Sequence, residues 1–513
     1  MYRHEKQHRE SLGSFGAALH QEFKTNGVWM REVEGLPWFN LLIFSILLTG
    51  VSLFLPHFSN LATNLQSQNL YASWAMTQGQ MAYASFFGTS GILFYGLLWL
   101  SGYLPFGFLW IGVQFLALIA TGWISYRLAY RLVGQIRVAK FAMAMVYVLV
   151  FLLGMGGLYA PIFALPVLFY SLSRIAKYIQ TREKIGFIRY GMQAALAFMI
   201  SPMSALFFYS IALIALALYD IRQHQFLQGV YQFLASLLGF SLLFYPIGYV
   251  TVWTGSFGDA VGQIIFDATS FQLAHSHLLE NVITYLGLAF GLGFLFLLFA
   301  TLTSFSKGSF ELKWMGILGV VIVLVLSIFN PDFGLYHLLP LIPFVFLLIT
   351  FWMGEQLSVL VGEDSRRARN TTSPLSKYLT VSLYLPFVVG VYVMGRPLVE
   401  TYILHGEESR ERTEVARYIK ENSQSTDTIY AWDTSATMYL VSQRLSSSLI
   451  LSPTQYLTTN ENEIKLLNGL QKYPAYIAVN NRLTLNEDVK NILQKSYQES
   501  EQSFDQFTLY KRK

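Results

Sequence analysis

The chain contains no cysteine, which excludes disulfide bonds, thiolate metal sites and a cysteine nucleophile. Charged residues are also scarce: they make up 13% of the sequence, against about 25% in a typical soluble domain. Hydrophobic residues make up 54%. The net charge of +5 comes from basic residues that lie between apolar runs, which is typical of loops beside anionic lipid and not of a nucleic-acid-binding surface. This composition predicts a polytopic α-helical membrane protein.

The N-terminal stretch lacks the features of a cleaved signal peptide. It is polar and mixed in charge, without an early apolar core or a small-residue cleavage site. We therefore expect residues 1–36 to form a cytoplasmic tail. The apolar run from Trp38 to Pro56 is then an uncleaved first span that runs outward.

Apolar runs that are long enough to cross a bilayer recur along residues 37–398, the predicted membrane domain. Since a helical span needs roughly 20 residues, they predict about 11 to 13 spans. The run from Gly91 to Tyr126 is broken near Pro105, so we interpret 91–104 as a re-entrant or interfacial helix and 106–126 as the second span. Further spans are predicted near 139–157, 161–176, 186–201, 203–219, 228–250, 283–304, 313–329, 335–352 and 378–396.

The basic residues between these runs predict the orientation, because cytoplasmic loops are enriched in Lys and Arg. Predicted outer loops at 57–90, 158–160, 251–282 and 330–334 contain neither residue type. The predicted inner loops contain Arg127, Arg131, Arg137 and Lys140, then Arg174, Lys177, Arg182 and Lys184, then Arg222, Lys307 and Lys313, then Arg366, Arg367, Arg369 and Lys377. The pattern predicts a multi-pass protein with its N-terminus in the cytoplasm and its C-terminal part outside. The absence of cysteine and of a cleaved leader fits a bacterial plasma membrane.

After Arg396 the sequence becomes polar and charged, which predicts a separate, water-soluble domain over residues 399–513. Helices and strands alternate in it, as in a small sheet covered by helices. Helices are predicted at 408–421, 435–443, 461–472 and 486–495, and strands at 428–432, 448–451, 475–479 and 507–510. We expect a small extracytoplasmic α/β domain.

The stretch from Asn60 to Gly96 contains no Asp, Glu, Lys or Arg, yet much of it is too polar and aromatic to cross lipid. Trp and Tyr rings concentrate at the level of the lipid headgroups. Residues 57–90, which we name the platform loop, are therefore predicted to form an aromatic platform at the outer membrane surface.

Three segments carry short motifs. Residues 336–343 have the pattern aromatic/basic-Leu-Leu-Pro-x-x-Pro at the start of a late span, and residues 255–266 form the loop after a middle span. The first-loop motif consists of Tyr71-Ala72, Met76, Gly79, Tyr83, Phe86, Gly91 and Tyr95. These segments resemble parts of the GT-C type glycosyltransferases, and in particular the bacterial protein mannosyltransferase and aminoarabinose transferase group.

The resemblance implies a GT-C fold and a sugar transferase of the outer membrane face. Its donor would be a polyprenyl-phosphate-linked sugar held in membrane lipid, and its acceptor a cell-envelope polysaccharide, protein or lipid. The transferred group would be a hexose-type sugar. The resemblance names no cofactor, and a divalent cation stays open.

The acidic residues of the family motif are missing here. The family has Asp or Asp-Glu about four residues before the loop tyrosine, where this chain has Ser67 and Gln68, and Ser85 stands at a second acidic position. In the family the carboxylate acts as a general base or binds a metal, and neither Ser nor Gln carries a negative charge near neutral pH. Two hypotheses follow: catalysis by another carboxylate, or a non-catalytic GT-C-like protein that binds a lipid-linked glycan and supports a partner enzyme.

A transporter or flippase is a third hypothesis. Intramembrane charge pairs and matched interrupted helices often mark a transport path. The almost wholly apolar spans favour a platform for a lipid substrate instead.

The outer loop at 251–282 supplies the candidate catalytic carboxylates, Asp259 and Asp267. His275, His277 and Glu280 in the same loop are candidate ligands of a divalent cation. The alternative for this loop is that its polar groups face water.

Candidate substrate-binding residues lie in the platform loop and at the mouth of a late span. Polar side chains would bind sugar hydroxyls or cap a helix, aromatic rings would stack on the sugar or form an interfacial belt, and a histidine would hold the lipid phosphate or lie at the interface. These residues are Gln68, Asn69, Tyr71, Trp74, Tyr83, Tyr336 and His337.

Overall fold

A computed structural model describes residues 35–58, 61–154, 157–182, 186–267, 271–272, 275, 278–303, 310–362, 373–404, 406–456 and 460–513. The predicted cytoplasmic tail thus lies almost wholly outside the described residues. The helices of the membrane part are α1 (Trp38–Phe58), α2 (Asn64–Thr77), α3 (Ile92–Gly102), α4 (Phe108–Val133), α5 (Ile136–Gly154), α6 (Ala160–Thr181), α7 (Phe187–Ile200), α8 (Pro202–Arg222), α9 (Phe226–Trp253), α10 (Phe257–Val261), α11 (Leu278–Gly291), α12 (Phe294–Thr303), α13 (Phe310–Ile328), α14 (Ile342–Gly362), α15 (Pro374–Val381) and α16 (Leu385–Val399).

Within the described part of the chain, nine helical segments are long and apolar enough to cross a membrane. The apolar helices α11 and α12 form a further pair that is bent by 60°, and α7 is an apolar helix of 14 residues. Together these elements occupy the positions of all the predicted spans. The prediction of a multi-span α-helical membrane protein is confirmed, although α7 and the bent pair are not straight helices of full length.

Helix α3 occupies the segment that we interpreted as re-entrant or interfacial. With 11 residues it is about half the length that a bilayer requires. It ends before the break at Pro105, and α4 begins three residues after this proline, at Phe108, and runs to Val133. Helix α4 is longer than predicted because it continues through Arg127 and Arg131 until Gly134, whose φ of 76° is the left-handed conformation that ends a helix.

The span that begins at Leu335 lies at the centre of the membrane part, because 83% of its apolar 18-residue stretch is buried inside the protein. A short 3-10 helix (Leu335–Leu341) starts this span and leads directly into α14. The corresponding apolar stretches of the spans that contain α9 and α16, by contrast, are only 11% and 6% buried. These helices therefore present apolar side chains to the surrounding lipid. The late Leu-Leu-Pro-x-x-Pro segment is therefore the central element of the bundle.

The spans contain a charge pair that the sequence reading did not anticipate. Lys313 Nζ lies 2.5 Å from Glu355 Oε1, and the lysine side chain is 1% exposed. The pair joins the first turn of α13 to the second half of α14. It lies toward the ends of these helices that are remote from the platform loop, where α8 and α13 are also joined by Arg222 and Glu311.

The C-terminal part forms the predicted α/β domain. Its elements are α17 (Gly406–Asn422), β1 (Thr428–Trp432), α18 (Thr437–Ser442), β2 (Leu445–Ser446), α19 (Asn460–Leu470), β3 (Tyr476–Asn480), α20 (Glu487–Ser496), β4 (Tyr497–Glu499) and β5 (Phe507–Arg512). The sheet has the strand order β2-β1-β3-β5-β4, in which β1 is parallel to β2 and β3, and β5 is antiparallel to β3 and β4.

One predicted strand, at 448–451, is wrong. The strand lies at Leu445–Ser446, and the following serines bond the backbone through their side chains. The Ser446 hydroxyl donates to the carbonyl of Ser448, and the Ser448 hydroxyl accepts from the N–H of Ile450. Such local side-chain bonds compete with the ladder of a sheet, so the segment becomes a loop.

Candidate functional site

The platform loop begins with helix α2, whose start is determined locally. Thr63 Oγ1 accepts from the N–H of Gln66, and Gln66 Oε1 accepts from the N–H of Thr63. This reciprocal capping box satisfies two backbone donors that would otherwise lack partners. It fixes the direction in which α2 leaves the first span, and Gln66 also donates to the carbonyl of Gly157 in the next outer loop.

The second half of the platform loop is held by a buried glutamine from the outer loop at 251–282. Gln263 donates through Nε2 to the carbonyl of Tyr83 at 2.7 Å and accepts through Oε1 from the N–H of Gly88 at 3.0 Å. Tyr83 has a φ of 69°, which is unusual for a residue other than glycine. The amide of Gln263 therefore supplements the turn's own backbone bond from the N–H of Ser85 to the carbonyl of Met81.

The α/β domain packs directly on the platform loop through hydrogen bonds. Ser67 Oγ accepts from the N–H of Ala436, and the Tyr71 hydroxyl accepts from the N–H of Ser446. Gln68 Nε2 donates to Gln455 Oε1 at 2.7 Å. The platform loop and the α/β domain consequently lie on the same side of the membrane.

A polar cavity of about 100 Å³ lies between the platform loop, the outer ends of the spans and the α/β domain. Residues from six separate parts of the chain surround it. Its polar lining residues are Asn69, Thr89, Ser90, Tyr159, Ser201, Ser204, Ser327, Asn330, Asp332, Tyr336, His337 and Tyr456. A concave site with converging polar groups is the default candidate for ligand binding.

One acidic side chain, Asp332, lines the described part of this cavity. It is 9% exposed and lies in the short outer loop between α13 and the 3-10 helix. Its backbone N–H donates to Asn330 Oδ1, and its Oδ1 accepts from the N–H of Tyr456 in the α/β domain, both at 3.0 Å. The carboxylate therefore joins the membrane part to the segment that covers the cavity.

Aromatic rings and His337 form the wall beside Asp332. The Tyr159 and Tyr336 rings are stacked with their centroids 5.4 Å apart, and the Tyr336 and His337 rings are 4.3 Å apart. Gln455 Nε2 donates to the Tyr336 hydroxyl at 3.0 Å. His337 Nδ1 lies 3.4 Å from Asn330 Nδ2, whereas its Nε2 is buried without a hydrogen-bond partner among the described residues. A buried, unpaired nitrogen in a cavity wall is available to a ligand.

The structure brings three of the predicted substrate-binding residues, Asn69, Tyr336 and His337, to the cavity wall. Asn69 also donates to the carbonyl of Leu158 at 2.9 Å, which fixes its side chain.

The other predicted platform residues lie outside the described cavity lining. Gln68, Tyr71 and Tyr83 are buried in protein contacts. Burial raises the pKa of Tyr71 well above its usual range, against smaller opposing contributions from its bonds to Ser446 and Gln80. Trp74 is half-buried beside the Tyr71 ring.

The candidate residues of the loop at 251–282 do not meet at the cavity. Asp259 is exposed on α10, and Glu280 is exposed on α11. His275 Nε2 lies 3.2 Å from the carbonyl of Ile328. His277 and the side chain of Asp267 lie outside the described residues. Among the residues that the structure describes, no group of three His, Asp or Glu side chains could hold a metal ion.

The sequence reading did not single out Asp332, Gln455 or Tyr456. A weak signal exists for Asp332, because it lies in a predicted outer loop five residues before His337. No local signal marks Gln455 and Tyr456, since Tyr456 lines the cavity and Gln455 bonds Tyr336 only through the docking of the α/β domain.

The fold is similar to that of a solved membrane protein, ArnT from Cupriavidus metallidurans, in a structure bound to undecaprenyl phosphate. The TM-score is 0.57 at 13% sequence identity, and the match covers 92% of this chain and 97% of that chain. At this identity the likeness establishes the fold. The chain is thus a multi-pass membrane protein with an ArnT-like fold.

Two family models match nearly the whole sequence. Residues 29–405 match the "Putative competence-induced protein Ccs4 N-terminal domain", and residues 409–513 match the corresponding C-terminal domain. The chain belongs to the Ccs4 family of competence-induced proteins. Curated protein sequences contain no match.

Proposed function

We propose that this protein is a GT-C type membrane glycosyltransferase that moves a sugar from a polyprenyl-phosphate donor to a cell-envelope acceptor at the outer face of the plasma membrane. The observation that carries the proposal is the polar cavity between the platform loop and the α/β domain, lined by Asn69, Tyr336 and His337 in an ArnT-like fold. The absence of Lys and Arg from the predicted outer loops supports an outward-facing cavity.

The lipid-phosphate end of the donor has a candidate partner in His337. Its unpaired Nε2 can donate to a phosphate oxygen when it carries the proton. The solved ArnT structure contains undecaprenyl phosphate, which supports a polyprenyl phosphate as the ligand class here. The stacked rings of Tyr159 and Tyr336 offer a flat apolar surface beside this position, and Asn69 offers an amide.

The cavity has to enlarge before a donor can bind. Its volume of about 100 Å³ is below the roughly 300–1,000 Å³ that is typical of ligand pockets. Tyr456 lines it from the side of the α/β domain, and the segment 452–456 is held by the bonds from Gln455 to Tyr336 and from Tyr456 to Asp332. Outward movement of this segment would open the cavity without rearranging the spans.

Purified protein in liposomes, supplied with radiolabelled polyprenyl-phosphate sugars and envelope acceptors, tests the proposal. We expect release of polyprenyl phosphate by the wild-type protein and a loss of donor affinity of about tenfold or more in His337→Ala, because one charge-assisted hydrogen bond contributes roughly 1.5–3 kcal/mol. Asp505→Asn, at an exposed position of the α/β domain, is the matched control and should behave as wild type. Absence of turnover with every donor contradicts the proposal.

A second candidate function is the non-catalytic one, in which the protein binds a lipid-linked glycan and supports a partner enzyme. The observation that favours it is the use of Ser67 and Gln68, which replace the family's acids, as docking contacts for the α/β domain. The described cavity lining also contains no Lys or Arg to neutralise a phosphate. Saturable donor binding by the wild-type protein without any turnover would select this function.

A further inference from the structure

The proposed transfer needs a group that accepts the proton of the attacking hydroxyl. The platform loop contains no carboxylate for this role, because Ser67, Gln68 and Ser85 stand at the acidic positions of the family motif. Within the described lining, the cavity contains one carboxylate side chain, which comes from a different part of the chain. We propose that Asp332 is the catalytic base of the transfer, an assignment that rests on the proposed function.

Asp332 has the position that the role requires. It lines the same cavity as Asn69 and His337, so a donor held by these residues would have its reacting carbon in the same enclosed space. The Tyr456 N–H donates to Oδ1, which fixes the carboxylate at the cavity wall. A carboxylate offers about four acceptor sites, so a bound hydroxyl can share it with donors of the protein.

The sequence-predicted catalytic carboxylate with a described side chain, Asp259, does not share this position. Asp259 is exposed on α10 and is absent from the described lining of the cavity. A base has to lie within hydrogen-bond reach of the proton that it removes. Of the two, Asp332 therefore satisfies the geometric requirement and Asp259 does not.

The step balances without any further reagent. The acceptor's hydroxyl oxygen forms a bond to the anomeric carbon of the sugar, and the bond from that carbon to the phosphate oxygen breaks. The electron pair of the broken bond stays on the phosphate, which leaves as polyprenyl phosphate. The hydroxyl proton moves to the Asp332 carboxylate and is later released to water.

Replacement of Asp332 by asparagine tests the role, because the amide keeps an oxygen for the Tyr456 N–H but cannot take up a proton. General-base catalysis contributes roughly 10²–10⁴-fold, so we expect kcat of Asp332→Asn to fall by about 100-fold or more while polyprenyl phosphate binds with unchanged affinity. We also expect the acidic limb of the pH–rate profile to disappear in the residual activity. A purely structural role for the carboxylate would leave that limb in place.

Parallel measurements on Asp259→Asn and on the exposed control Asp505→Asn separate the possible outcomes. Loss of turnover in Asp332→Asn alone, with retained binding and an unchanged melting temperature, supports the assignment. Undiminished turnover in Asp332→Asn overturns it and leaves the glycosyltransferase function standing, and a loss in Asp259→Asn instead moves the role there. A wild-type protein without turnover on any donor overturns the proposed function, and the base assignment with it.

Discussion

At the scale of single residues, side chains of the family motif contribute to structure more than to the cavity. Tyr71 is fully buried, and its hydroxyl donates to Gln80 Oε1 while it accepts from the N–H of Ser446. Its ring lies 5.3 Å from the ring of Tyr439 in the α/β domain. The tyrosine that begins the motif therefore joins the platform loop to the soluble domain.

Removing the hydroxyl of Tyr71 should affect stability and not donor binding. In Tyr71→Phe the buried N–H of Ser446 loses its partner, which costs roughly 1–3 kcal/mol of unfolding free energy. A lower melting temperature of the purified protein would show this effect, and Tyr103→Phe, at an exposed ring, should leave the melting temperature unchanged. Weaker donor binding at an unchanged melting temperature would instead make Tyr71 a ligand-binding residue.

At the scale of elements, the site depends on close backbone contact between the start of α3 and the end of α7. The N–H of Gly91 donates to the carbonyl of Ile200 at 3.0 Å. A Cβ at Gly91 would lie 2.1 Å from the carbonyl oxygen of Met199, which cannot move aside as a flexible side chain would. Ser90 and Ser201, which adjoin this contact, both line the cavity.

The substitution Gly91→Ala should separate α3 from α7 and destabilise the protein by about 1–3 kcal/mol, since added atoms in a close-packed site force the backbone apart. Gly96→Ala on the same helix is the matched control, because no atom lies within 4 Å of the added Cβ and alanine favours a helix. Thermal unfolding of both variants measures the difference. Equal melting temperatures would contradict the close contact.

The bounds of the strands show which parts of the sheet can be predicted from the sequence. Strand β1 begins and ends as predicted, because its apolar and aromatic residues lie between polar turns. The short strands β2 and β4 have too few residues for a periodic pattern, and β4 was not predicted. Their place in the sheet is decided by the neighbouring strands β1 and β5.

At the scale of the whole molecule, the membrane part and the α/β domain enclose the cavity jointly. Residues of the platform loop contact Ala436, Ser446 and Gln455, which places both parts on one side of the membrane. The basic cluster around Lys140 lies at the far end of α4 and the start of α5, across the bundle from the platform loop. The positive-inside rule then predicts an extracytoplasmic α/β domain.

The absence of cysteine allows a direct test of this orientation, since any introduced thiol is the only one in the chain. In intact cells, a membrane-impermeant maleimide should label Glu421→Cys in the α/β domain. It should label Lys140→Cys only after the membrane is permeabilised. Both positions are exposed in the structure. The reverse pattern would place the domain in the cytoplasm and contradict the proposed function.

The sequence by itself determined the class of protein and the order of its parts. Scarce charge, long apolar runs and a polar C-terminal part are sufficient for this, because burial in lipid acts on each span separately. The tertiary structure alone decided which side chains line the cavity together. Asn69, Asp332 and Tyr456 come from segments that are distant in sequence, and which polar side chain faces a shared cavity depends on how the α/β domain packs on the platform loop.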